Sequence, residues 1–127
     1  MPATNDYKPT LIKLMSFVHN AEYDKHHVFS QDELASLTPV DVQRWMCLQA
    51  YGTPDPLPDA NPYEARSSSL EYWKKAISSF IPNRLMVWNA VIGQGNPTRS
   101  IEVNDLIKKV KKKDVRGRGL LQKHDVQ

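Results

Sequence analysis

The sequence predicts an all-α domain, a small bundle of about five helices with a basic C-terminal helix and a flexible tail. Three observations predict it. Leu11, Leu14, Met15 and Val18 are spaced i, i+3, i+4, i+7, and Val103, Leu106, Ile107 and Val110 repeat that spacing, which lays one apolar stripe along a helix. Start signals, a Ser or Thr followed three residues later by an acid, stand at Ser30/Glu33 and Ser68/Glu71. No stretch alternates apolar and polar residues as a half-buried strand does. With 127 residues the chain is one domain by size, long enough to bury a core without disulfide or metal.

Taken in order, residues 1–9 carry no stripe and are expected to be disordered. The first stripe places a helix at about 10–23. Ser30 caps the next helix, Glu33 closes its capping box, and Phe29 can staple to Leu34. That helix is short, about 31–37, because Thr38 caps another at once, with Pro39 in the first helical position and Leu37 stapled to Val42. The third helix runs about 39–51 and stops at Gly52. Four prolines in 53–62 make a stiff connector. The fourth helix, about 68–81, carries Leu70, Trp73, Ile77 and Phe80 on one stripe, and Pro82 ends it. The segment 83–89 reads either as one helical turn or as a short apolar loop that seats Trp88. A turn-rich loop, 93–100, precedes the last helix, which starts near Asn104. Arg116-Gly-Arg-Gly119 should break it and leave 117–127 as a flexible tail. The folded domain is expected over 10–116, around Trp45, Trp73, Phe80 and Trp88.

Charge is unevenly divided. Residues 1–60 hold four basic and eight acidic residues, a balance of −4; residues 61–127 hold thirteen and six, a balance of +7. Five lysines occupy six positions from 108 to 113. Lysines held at helical spacing can neutralise phosphates and release counterions. The candidate nucleic-acid contacts are Lys74, Lys75, Arg99, Lys108, Lys109, Lys111, Lys112, Lys113, Arg116 and Arg118. The competing reading is a solvated face, with a surface of Trp45, Trp73 and Trp88 binding a protein partner. The 108–113 run also fits a nuclear-import signal, so an intracellular, nuclear location is expected; no apolar run is long enough for a membrane span.

Other motifs point away from chemistry. The 93–100 loop departs from the phosphate-binding pattern because Thr98 and Arg99 stand where Gly and Lys belong, and its Asn96-Pro97 reads first as turn chemistry. Asp32, Glu33 and Asp41 are helix N-terminal charges. His19, His26 and His27 lack metal-ligand spacing, and Cys47 sits on an apolar helix as a structural thiol. Helices 31–37 and 39–51 have helix-turn-helix order, but the second is too acidic and apolar to read a major groove. No cofactor is expected.

The stretch Arg66-Ser-Ser-Ser-Leu-Glu-Tyr-Trp-Lys-Lys-Ala-Ile-Ser-Ser-Phe80 resembles the opening of the N-terminal core-binding domain of tyrosine recombinases of the phage-integrase type. The words Pro-Asn-Arg-Leu-Met-Val-Trp and Gly-Asn-Pro-Thr-Arg-Ser-Ile-Glu-Val-Asn-Asp-Leu-Ile-Lys-Lys-Val are similar to eukaryotic mobile-element proteins of that kind. The likeness covers roughly residues 30–119. It implies a SAM-like helical domain that clamps DNA beside a catalytic domain. A catalytic domain would follow this region, and the sequence stops at Gln127. The expectation is therefore a non-enzymatic DNA-binding module with no catalytic residue, Tyr72 on its core-side helix included.

Overall fold

The computed structural model describes residues 2–126, with side chains described over 7–114. The fold is all-α. Five helices follow one another, α1 (Pro2–His19), α2 (Gln31–Ala35), α3 (Pro39–Tyr51), α4 (Ser67–Ser78) and α5 (Ile101–Val126). Among the described residues the only β pairing is two isolated bridges, Val87 with Asn96 and Asn89 with Gln94.

The start signals of α2 and α3 form as their residues dictate. Ser30 Oγ accepts the Glu33 N–H at 3.0 Å while Glu33 Oε1 accepts the Ser30 N–H at 2.9 Å. Thr38 and Asp41 form the same reciprocal pair at α3. Gly52 ends α3 with φ +78°, a left-handed conformation that costs glycine little.

Several helix boundaries differ from expectation. α1 begins at Pro2, so the segment 1–9 expected to be disordered is helical from there. A proline in the first turn forfeits no hydrogen bond, although Pro9 inside the helix does. What outweighs that loss is tertiary: Tyr7 stands edge-on to Tyr72 of α4, with ring centroids 5.7 Å apart. At its other end α1 stops at His19, with Asn20 turned to φ 50°. α4 begins at Ser67, and neither Ser68 nor Arg66 caps it through a side chain. Instead the Ser67 N–H donates to Asp114 Oδ2 of α5 at 2.8 Å. A carboxylate 47 positions away does the work expected of Ser68, and a negative charge suits a helix N-terminus. Finally, α5 continues through Gly117 and Gly119 to Val126, where a break and a flexible tail were expected. Each glycine costs a helix about 1 kcal/mol, which lowers stability without forbidding the conformation.

α1 and α5 each pack on both α3 and α4. α4 and α5 are antiparallel, since Ser67 meets Asp114 at one end and Lys74 meets Asn104 at the other. The stripes converge on a core of Leu14, Met15, Val42, Trp45, Met46, Leu70, Ile77, Val103 and Val110, all essentially inaccessible to water. Trp45 stands edge-on to Trp73 with centroids 5.3 Å apart. Trp73 and Phe80 cover the core as half-buried residues, whereas Trp88 is not part of it.

The proline-rich connector is strapped to the bundle. Arg44 holds Asp55 through two hydrogen bonds, Nε to Oδ1 at 3.2 Å and Nη2 to Oδ2 at 2.9 Å, and the Glu64 N–H donates to the Ala50 carbonyl. The Arg44 bond holds the Asp55 carboxyl below the usual carboxylate range, and the Ser30 N–H does the same for Glu33. A carboxylate with a depressed folded pKa stabilises the fold above its unfolded pKa, near about 4, and loses that contribution as pH falls through the folded pKa. Urea midpoints should therefore be flat from about pH 7 to pH 5 and fall below about pH 4. Asp55→Asn should shrink that acid limb, measured by circular dichroism.

Candidate nucleic-acid interface

Burial of Val103, Leu106, Ile107 and Val110 orients α5 and dictates where its lysines go. Lys108, Lys109, Lys111 and Lys112 fall on the remaining arc and are exposed. Among the described residues none of them has a carboxylate within 4 Å, and the one such ion pair is Arg44–Asp55. Lys109 stands on the α3 side, where with Arg44, Cys47, Asp55 and Asp105 it lines a cavity of about 480 Å³. Burial pushes the Cys47 thiol up, which keeps it protonated and unreactive.

Lys113 departs from the set. It is half-buried, and its Nζ donates to the Ala60 carbonyl and to Asn61 Oδ1. Its charge ties α5 to the connector, a structural role beside the phosphate contact expected of it. The side chains of Arg116 and Arg118 lie outside those described.

Lys74, Lys75 and Arg99 are not on the α5 ridge. They gather in a separate cleft of about 540 Å³ between α4 and the loop that joins α4 to α5. The loop owes its shape to Asn96, which is 0% exposed. Its Nδ2 donates to Ser78 Oγ at 2.7 Å and to the Arg84 carbonyl at 2.8 Å. Its Oδ1 accepts the Thr98 N–H at 3.0 Å and the Thr98 hydroxyl at 2.8 Å. Gly95 is needed beside it: φ is +120°, and a Cβ there would lie 2.7 Å from the Val87 carbonyl oxygen. Thr98 and Ser100 thus spend their hydroxyls on the loop itself, as turn chemistry requires.

The same loop brings in Arg84, which sequence reasoning missed. It stands alone in an apolar word, Asn83-Arg-Leu-Met-Val-Trp88, and nothing local marks it. The Asn96 side chain, twelve residues on, holds its carbonyl and helps fold it back over α4. Arg99 Nη1 donates to the Leu85 carbonyl at 2.8 Å, and Lys74 Nζ to Asn104 Oδ1 at 2.7 Å. Burial and the neighbouring Arg99 push the Lys74 ammonium below its ordinary pKa, against a smaller pull upward from Glu71.

The charge split by sequence halves also concealed Lys8, Lys13 and Lys25. Although the first half is acidic, these three converge with His26 on a cavity of about 580 Å³ beside α1. The tryptophan surface expected to bind a protein does not exist as such, because Trp45 is 1% exposed. Of the apolar residues that do face water, a group lies on the α4–α5 loop, with Leu85 81% and Val91 93% exposed, while Val28, Leu57 and Tyr63 are exposed elsewhere.

No family model, no curated protein and no solved structure matches this chain. Among the described residues no helix is long and apolar enough to cross a membrane, and no group of His, Cys, Asp and Glu could hold a metal ion.

Proposed function

We propose that the chain is a non-enzymatic DNA-binding module that grips the phosphate backbone along α5, in the manner of the SAM-like clamp domain of a tyrosine recombinase. One observation carries the reading: Lys108, Lys109, Lys111 and Lys112 stand exposed on one helix with no carboxylate of the described residues within 4 Å. Such a ridge carries uncompensated charge that a polyanion neutralises with release of its counterions. α2 and α3 serve as scaffold, since Val42, Trp45, Met46 and Cys47 bury α3 against the bundle. The recombinase likeness rests on the 66–80 stretch and on the shorter words after it within residues 30–119, and the 108–113 run is compatible with nuclear import.

The test is a gel shift on random duplex across a salt series, with the variant Lys108→Gln/Lys109→Gln/Lys111→Gln/Lys112→Gln alongside. Each phosphate contact contributes about 0.9 to the slope of log affinity against log salt. If all four lysines touch phosphates, the variant's slope is flatter by about three to four, and its affinity at about 50 mM salt falls at least about a hundredfold. Affinity indifferent to salt would remove the proposal. A protein-interaction module is the competing reading, favoured by the exposed Leu85, Val91 and Ile92. Self-association that survives the lysine variant would support it.

A further inference from the structure

We propose that the cleft between α4 and the α4–α5 loop is a discrete binding site for a phosphate monoester, separate from the α5 ridge and independent of duplex binding. Four cations, Lys74, Lys75, Arg84 and Arg99, line it against one carboxylate, Glu71. That carboxylate pairs with none of them within 4 Å. Gathering like charges in a half-enclosed space is unfavourable, and among the described residues no ion pair offsets it. An anion in the cleft would.

The donors are also free to act. Arg84 and Lys75 make no side-chain hydrogen bond to another described residue. Arg99 spends one N–H on the Leu85 carbonyl, and Lys74 one of its three donors on Asn104. Ser78 Oγ accepts from Asn96 and keeps its own proton to donate. Two guanidinium groups suit phosphate because their planar forks meet two oxygens at once. Their positions are set in advance: the Asn96 network holds the Arg84 backbone, and the Leu85 carbonyl holds the Arg99 head. Preorganised donors lose less freedom on binding.

Shape separates this site from the ridge. The ridge is a row of exposed lysines along one helix, which suits a rigid duplex lying across it. The cleft is concave, about 540 Å³, with Tyr7 and Leu85 among its walls. A terminal phosphate can enter such a space, as in inorganic phosphate or a nucleoside 5′-monophosphate. A duplex backbone cannot bring its phosphates as deep.

Isothermal titration of the full chain with inorganic phosphate, AMP and adenosine tests this. Phosphate and AMP should each bind one per chain and adenosine should not. Arg84→Gln, which breaks no hydrogen bond, should weaken both at least tenfold, as should Arg99→Gln, with Arg99→Lys recovering part of the loss. AMP binding tighter than phosphate identifies a nucleotide end as the source; equal binding identifies the free anion. The quadruple α5 lysine variant should bind phosphate as the parent does. Phosphate binding unaffected by Arg84→Gln, adenosine binding as well as AMP, or no binding at all would each overturn the site. If duplex binding persists while phosphate binding fails, only the cleft is lost. If phosphate binds and no duplex does, only the ridge reading is lost.

Discussion

Replacing Trp45 with alanine is expected to cost about 3–5 kcal/mol, a large part of the stability of a domain this size. Trp45 sits on α3, is 1% exposed, and meets Trp73 of α4 edge-on. Its removal loses the transfer free energy of the largest side chain in the core. It also leaves a cavity that the surrounding helices can close only in part, because α3 is packed against both α1 and α5. The edge-on ring pair contributes about a further 1 kcal/mol. Urea denaturation followed at 222 nm should show the midpoint displaced to low denaturant, or no folded baseline. Trp45→Phe, which keeps an aromatic edge toward Trp73, should recover more than half of the loss. An alanine variant within 1 kcal/mol of the parent would mean that the core is not built around this residue.

The second large effect is expected at Asn96→Ala, at about 3 kcal/mol. The side chain makes four hydrogen bonds in a place that water does not reach. Alanine leaves the Arg84 carbonyl and the Thr98 N–H without those partners, and an unpaired buried polar group costs about 1–3 kcal/mol. For a chain of this length the melting temperature should fall by about 10 °C. Asn96→Asp is the sharper variant, because it preserves shape while exchanging two donors for an acceptor that faces the Arg84 carbonyl. That carboxyl would have a raised folded pKa, so whatever stability it retains is present at low pH and lost as pH rises through that value. Melting curves at about pH 4 and pH 7 should therefore separate Asn96→Asp from Asn96→Ala. Since Asn96 also positions Arg84, both variants should lose phosphate binding in the cleft while α5 still binds duplex.

The capping box at α2 and the Thr38 cap at α3 were legible because their participants lie within three residues, so local chemistry decides them. The α4 box was misread for the complementary reason. Ser68 and Glu71 have the right spacing, yet α5 delivers Asp114 to the Ser67 N–H and the helix starts one residue earlier. Trp88 looked like core because it is a tryptophan, but the loop that carries it packs around Asn96 and leaves it only half-covered.

By itself the sequence determined the helical class, three apolar stripes, two of the caps, and the presence of a lysine row on the last helix. Each of these depends on residues three to seven positions apart, a range over which helix geometry alone sets who is neighbour to whom. Only tertiary structure decided that Lys113 is a strut to the connector, that α1 reaches back to Pro2, and that Arg84 joins Lys74, Lys75 and Arg99 around one cleft. Those outcomes depend on the antiparallel docking of α4 on α5 and on one buried amide that folds a loop over them. Contacts across such distances along the chain leave no periodic trace in it.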